Sequence, residues 1–262
     1  MMRALNTAGT GMVAQQYNMD VIANNLSNVN TTSFKAQRAE FQDLMYQTFR
    51  ASGATTGANA NLPQAAQIGL GARFSASVPN FTPGPLQNTG NPLDMAVIGA
   101  GFFAVETPDG IAYTRDGGFK VDSEGNMVTS DGYRLIPNIT VPEGTTALTV
   151  APSGAVQGIR AGENEVSTLG EITLTMFPNP AGLTRVGQNL YRDSGLGSGA
   201  PTQVIPGSEG SGLLRSEFVE GSNVQVVEEM VRMITAQRAY EINSKSIQAS
   251  DDMLSILNSL KR

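Results

Sequence analysis

Acid–base chemistry in this 262-residue chain would have to rest on carboxylates, lysines, tyrosines and hydroxyls, because the sequence contains no His and no Cys. The absence of His removes the commonest general base and metal ligand. The absence of Cys removes both a disulfide framework and a thiolate metal site. The acids with suggestive spacing are Asp109, Asp116 and Asp131, each directly before a glycine, and the trio Asp122, Glu124 and Asn126. A calcium loop of the EF-hand kind needs Gly at its sixth position and Glu at its twelfth. Here Met127 stands at the glycine position and Tyr133 at the glutamate position. Acid–Gly pairs between short apolar runs are turn chemistry, so these carboxylates are read as turn residues. A carboxylate hydrolase remains a rival reading, weakened by the missing His. The stretch Gly9-Thr10-Gly11-Met12-Val13-Ala14 fits G-x-G-x-x-A, but a dinucleotide site needs a strand in front of it and a βαβ unit around it. No strand precedes it, so its glycines are expected to serve close helix packing. No cofactor and no metal are expected.

Composition narrows the classes further. With 17 basic and 23 acidic residues the net charge is −6, which disfavours a nucleic-acid binder needing a basic face. The 40% hydrophobic content supports a core. Asn6, Thr7, Gly9, Thr10 and Gly11 interrupt any secretory h-region. The longest apolar run, residues 95–105, is too short to span a bilayer, so membrane insertion is not expected.

The elements that must position anything functional lie at the two ends. Leu5, Ala8, Met12, Gln15, Met19, Ile22, Leu26 and Val29 keep a 3-4 alternation, which predicts one helix over residues 2–27. Only Arg3 and Asp20 are charged among the first thirty residues, too few for an ordinary surface helix. At the other end Ser222 and Asn223 are candidate N-caps. Glu228 and Glu229 at the start, with Lys261 and Arg262 at the end, suit the helix dipole. A helix of about 38 residues is predicted, roughly 57 Å long. Glu228 and Arg232 have the favourable i,i+4 order. One apolar stripe runs Val226, Met230, Met233, Tyr240, Ile247, Leu254; a second runs Val227, Val231, Ile234; the last turns add Met253, Ile256, Leu257 and Leu260. Burying one such side chain is worth roughly 1.5–3 kcal/mol, and a single partner helix covers only part of this surface. Self-association is therefore expected.

Between the helices, residues 86–191 alternate short β-type runs with turn dipeptides, residues 192–212 read as a loop, and residues 50–67 are small and linker-like. The fold class expected is α+β: paired N- and C-terminal α-helices, coiled-coil-like, with an inserted antiparallel all-β domain. The expected divisions are 1–45 as N-terminal helix and elbow, 46–75 as an extended linker, 76–211 as the β-rich domain and 212–262 as the C-terminal helix.

Residues 23–35, ANNLSNVNTTSFK, place four asparagines at the helix exit. Amide side chains bond nearby backbone and tolerate left-handed conformations, so they are expected to end the helix and turn the chain without adding charge, with Phe34 anchoring the exit. This stretch resembles the N-terminal signature of the bacterial flagellar rod and hook family. Residues 91–105 (NPLDMAVIGAGFFAV) and 113–137 are similar to that family's β domain, and residues 221–254 to its C-terminal signature. One departure is Ser33, where many members carry Gly, so Ser33 would have to accept the local turn. Within the family, the length and residues 46–71 look most like the distal rod branch; a proximal rod or hook relative is the alternative.

The resemblance implies a structural protein, not an enzyme, that polymerises into a hollow helical tube of its own copies. It implies as further partners proximal rod proteins, the hook protein, the surrounding P- and L-ring proteins and the flagellar type III export apparatus. It implies a place in the basal-body rod spanning the periplasm, reached without a cleavable signal peptide. The candidate subunit-interface residues are Leu5, Met12, Met19, Ile22, Asn24, Asn25, Leu26, Asn28 and Phe34 from the N-terminal segment. Val227, Met230, Val231, Ile234, Gln237, Arg238, Tyr240, Ile247, Leu254 and Leu257 complete them from the C-terminal helix.

Overall fold

The computed structural model describes residues 2–50, 55–57, 60–61, 64–160, 166–195, 197–208 and 210–260. Lys261 and Arg262, expected at the end of the last helix, lie outside the described residues, as do 51–54, 58–59 and 62–63 of the expected linker. The chain divides into two units. One holds residues 1–27, 37–78 and 225–262; the other holds residues 28–36 and 79–224.

The first unit is built on two long helices. The first, α1, spans Met2–Ser27, the bounds its apolar period predicts. The second, α2, spans Val226–Leu260, 35 residues. It begins two to three residues later than the candidate caps implied. Glu229 N–H donates to the Gln225 carbonyl (3.0 Å), so Gln225 opens the helix. Ser222 instead accepts from Val224 N–H within the approach to the helix, and the Asn223 amide is occupied elsewhere. The two helices run antiparallel: Asn25 meets Glu229 and Gly11 faces Asn243. Buried Ala8, Ala14 and Ala236 line a seam of small side chains, which lets the helix axes approach closely.

The expected linker is, where described, a β ribbon. Gln37–Asp43 pairs with Ala72–Pro79. Beyond it Tyr46–Arg50 pairs antiparallel with Ala66–Gly69, and Thr55–Gly57 with Ala60–Asn61. Small polar residues offer little to a core, but they still carry backbone donors and acceptors, and ladder pairing satisfies those that face the partner strand. The ribbon's base packs on α1 through Tyr17 stacked on Phe74 (5.0 Å). Gly71, at φ 122°, leaves no room for a side chain beside Thr10.

The second unit is built of antiparallel β-strands, with one short 3-10 turn at Pro180–Gly182 among its described residues. Its seven-stranded sheet runs, edge to edge, Lys120–Val121, Met127–Val128, Arg134–Ile136, Phe103–Thr107, Gly110–Thr114, Leu190–Arg192 and Thr184–Gly187. Thr145–Val150, Ala155–Arg160 and Val166–Glu171 form a three-stranded sheet. Three of the four acid–Gly turn signals are hairpin turns: Gly110, Gly125 and Gly132 all have positive φ. Asp116-Gly117 is different. Gly117 lies against the Met95 carbonyl, and Met95 N–H donates back to the Gly117 carbonyl. Along the central strand alternate side chains face opposite ways, and both faces are buried: Phe103 and Val105 in one cluster with Met127, Leu135 and Leu174, Phe102 and Ala104 in another with Phe177 and Tyr191.

The β structure also extends beyond its expected limits. Thr202–Val204, inside the expected loop, pairs with Leu174–Met176. Leu213–Ser216 pairs with Met95–Ile98, and Phe218–Glu220 with Leu86–Asn88. The chain thus stays in the β unit until residue 224.

A Cβ on Gly117 would stand 1.6 Å from the Met95 oxygen. Gly117→Ala should therefore destabilise the β unit by at least about 1–3 kcal/mol, read as a lowered urea midpoint at unchanged slope.

Candidate assembly interface

The stretch that raised the functional question, residues 23–35, falls on both sides of the division between units. Within the helical unit, Asn25 is fully buried. Its Nδ2 donates to the Gln37 carbonyl (2.8 Å) and to Glu229 Oε2 (3.3 Å), and its Oδ1 accepts from Gln37 N–H (2.8 Å). One amide thereby ties the end of α1 to the ribbon and to the start of α2. Glu229 is held in turn by Arg232 (3.1 Å), which also takes the expected i,i+4 partner Glu228 at 2.6 Å. Ile22 is likewise buried inside its own chain.

In the β unit, residues 28–36 insert as an integral piece. Thr31 N–H donates to the Asn28 carbonyl and Thr31 Oγ1 to Asn28 Oδ1. The left-handed residue is Ser33, at φ 56°, not an asparagine as expected from residue type. Ser33 accepts that conformation because it is doubly held: its N–H donates to the Glu220 carbonyl (2.7 Å) and its Oγ to the Arg115 carbonyl (2.8 Å). Phe34 is half-buried under the Arg185 guanidinium, 5.4 Å from the ring centre. The asparagines do not share one role: Asn25 is the buried bridge, and Asn28 closes the turn.

The residue that sequence reasoning passed over is Lys35. It is fully buried, with its ammonium 2.5 Å from Glu220 Oε1 and 3.0 Å from the Thr82 carbonyl. Gly84 N–H donates to the same Glu220 oxygen. Buried Arg115 stands 3.9 Å away and donates to the Gly99 and Gly101 carbonyls. Burial pushes the Lys35 ammonium below the usual lysine value, the Glu220 carboxylate pulls it back up, and Arg115 lowers it again. Burial also lowers the Arg115 guanidinium, against the pull of Glu220. No local pattern reveals this cluster, since its members lie 185 residues apart in the chain. Asn223 completes the closure: its Oδ1 accepts from Ala36 N–H (2.7 Å) while its Nδ2 donates to the Asn80 and Thr82 carbonyls.

The acids weighed for catalysis are spread over separate turns. Asp109 pairs with Arg192, Glu124 with Arg134, and Asp116 accepts from Gly118 N–H and Asn189. Asn126 fastens its own turn to Asn138 and Thr140. Among the described residues no cluster of acids has a metal-holding arrangement, and no described helix is long and apolar enough to cross a membrane.

The remaining candidates sort by position on the helices. Leu5, Met12, Met19 and Leu26 on α1, and Ile247 and Leu254 on α2, are half-buried; Asn24 is exposed. Val227, Met230, Val231, Ile234, Gln237, Arg238, Tyr240 and Leu257 are exposed, with Val227 at 76%. One side of α2 therefore meets α1, while the other leaves large apolar side chains in water.

Comparison with known sequences places the chain in a family. Residues 5–35 match the flagella basal body rod protein family, residues 96–158 the flagellar hook protein FlgE/F/G D1 domain, and residues 215–260 the flagellar basal body rod FlgEFG protein C-terminal family. The chain is 51% identical to the flagellar basal-body rod protein FlgG of Borreliella burgdorferi, over the whole of both chains. The chain belongs to the flagellar basal-body rod family. It is 46% identical to FlgG of Agrobacterium fabrum over 98% of each chain. Similarity to FlgF of Caulobacter vibrioides is lower, 32% over 90% of this chain and 88% of that one. Within the rod family the chain thus sits with FlgG, and its role is structural, as a rod subunit; the FlgF-like, hook and hydrolase readings are not favoured.

Removing one member of a buried ion pair strands the other and costs about 3–5 kcal/mol. Lys35→Met and Glu220→Gln should each lower stability by that order. The double variant should cost less than their sum by about 0.5–3 kcal/mol. Urea unfolding of all four proteins tests the coupling, and additivity would refute it.

Proposed function

We propose that the chain builds the distal part of the flagellar rod, as a hollow helical tube whose wall is made by α1 and α2 of many copies. The observation that carries this reading is the exposed apolar face of α2. Val227, Met230, Val231 and Ile234 stand in water on a helix whose opposite side is already engaged with α1. At about 25 cal/mol per Å2 of apolar surface removed from water, covering such a face on every copy is a substantial drive. A surface that meets a different surface on its neighbour, related by a rotation that does not close, gives a filament rather than a ring of fixed size.

Residues 46–71 are proposed to stiffen the rod by lying against neighbouring copies; the described part of this ribbon keeps Met45, Tyr46 and Phe49 exposed. Proximal rod proteins and the hook protein would meet the two ends of the tube, and the P- and L-ring proteins would surround it. Residence in the periplasm-spanning rod, with delivery through the flagellar type III apparatus and no cleaved signal, completes the proposal. The interface assigned to Leu5, Met12, Met19, Leu26 and the exposed α2 residues belongs to it as well.

Electron microscopy of the concentrated protein should reveal hollow filaments. Val227→Asp with Val231→Asp should abolish them while leaving the far-ultraviolet circular dichroism of the monomer unchanged. Filaments from the double variant, or none from the unaltered chain at any concentration, would sink the proposal. Deleting residues 46–71 should give filaments that bend more easily; equal stiffness by persistence-length measurement would remove the ribbon's role.

A further inference from the structure

The two helices of the first unit differ in length, and the difference falls at one end. Asn25 lies opposite Glu229 and Gly11 opposite Asn243. Continued at that register, Met2 falls opposite Asp252, and α2 runs on to Leu260. The last eight residues, about 12 Å of helix, have no stretch of α1 beside them. They are the most apolar turns of α2: Met253, Ile256, Leu257 and Leu260 are all exposed, Ile256 at 59% and Leu260 at 78%.

The same unit carries an apolar groove of about 640 Å3. Leu5, Val13 and Tyr17 of α1 form its floor, Phe74 and Arg73 of the ribbon one wall, and Ile247 of α2 contributes from the other side. Its volume lies in the range of clefts that bury a ligand-sized apolar body. Val13 and Tyr17 remain about half exposed in it.

We propose that the overhanging end of α2 from a second copy fills this groove. The inference rests on the polymer reading above and names the parts that meet. Three features select this occupant. The overhang is a bare helix end that a groove of this volume accommodates, whereas the Val227–Ile234 face lies on the body of α2, with the Glu228–Arg232 pair on it. The charges are complementary: Asp251 and Asp252 are exposed at the root of the overhang, and Arg73 is exposed at the groove's rim, where it donates to an uncharged amide, Gln42. Finally, groove and overhang are different parts of the chain. Each copy therefore offers both halves of the contact, which is the condition for open, directional growth. The apolar end and the groove are both satisfied along the polymer except at its tips.

The chain has no cysteine, so introduced thiols report unambiguously. A tagged Val13→Cys protein and an untagged Leu257→Cys protein would be mixed, polymerised, pelleted and oxidised. A disulfide-linked dimer of tagged with untagged chain, on a non-reducing gel, is expected in the pellet and not in dilute monomer. Normal pellets without that dimer overturn this contact and leave the polymer reading standing. Failure of the unaltered chain to form any polymer overturns both. As a second measurement, Arg73→Asp should slow elongation about fivefold through the lost attraction, and adding Asp251→Arg should restore it. Elongation indifferent to Arg73→Asp, or unrestored in the double variant, overturns the proposed pairing.

Discussion

An ammonium group shut away from water must find a carboxylate, and in this chain the carboxylate arrives 185 residues later. The Lys35–Glu220 pair, with Arg115 at its side and carbonyls of Thr82, Gly99 and Gly101 around it, closes the β unit on itself. Desolvating these charges separately would cost several kcal/mol each; desolvating them together is tolerable only where the opposite charges meet. Apolar contacts tolerate sliding, but a buried ion pair does not. The pair holds residues 28–36 within the β unit, where Ser33 and Asn223 belong to the same closure.

The consequence for assembly follows from where polar closure ends. Inside each unit, amides find specific partners: Asn25 with Gln37 and Glu229, Asn223 with Ala36, Asn80 and Thr82. These contacts specify a position and leave little for a partner to read. The surfaces left over, on α2 and in the groove along α1, carry large apolar side chains. Non-directional burial suits contacts repeated many times with small adjustments, as a helical rod demands. In the proposed assembly the two tasks are separate, with polar locks holding the subunit and apolar faces joining it to others.

Several elements were plain in the sequence. The bounds of α1 follow from a 3-4 alternation unbroken by Pro. The antiparallel β character follows from turn dipeptides, of which Gly110, Gly125 and Gly132 became hairpin turns. The Glu228–Arg232 pair follows from spacing on one helix face. All are local effects, decided within a few residues. Asp116-Gly117 carries the same dipeptide and does something else, because the Met95 carbonyl presses against Gly117. Ser33 takes the left-handed turn that the asparagines' residue type suggested for them, because two distant carbonyls reward its N–H and hydroxyl.

By itself, then, the sequence determined the two terminal helices, the β-rich middle, the family and the presence of more apolar helix surface than one chain covers. These depend on periodicity and composition, which are readable along a line. Only the tertiary structure decided that residues 28–36 belong to the β unit, that residues 46–71 pair as a ribbon where described, that Lys35 is buried, and that α2 outruns α1. Each of these depends on which distant groups meet in space. Water decides such meetings, penalising every unpaired charge and backbone group whatever its distance along the chain.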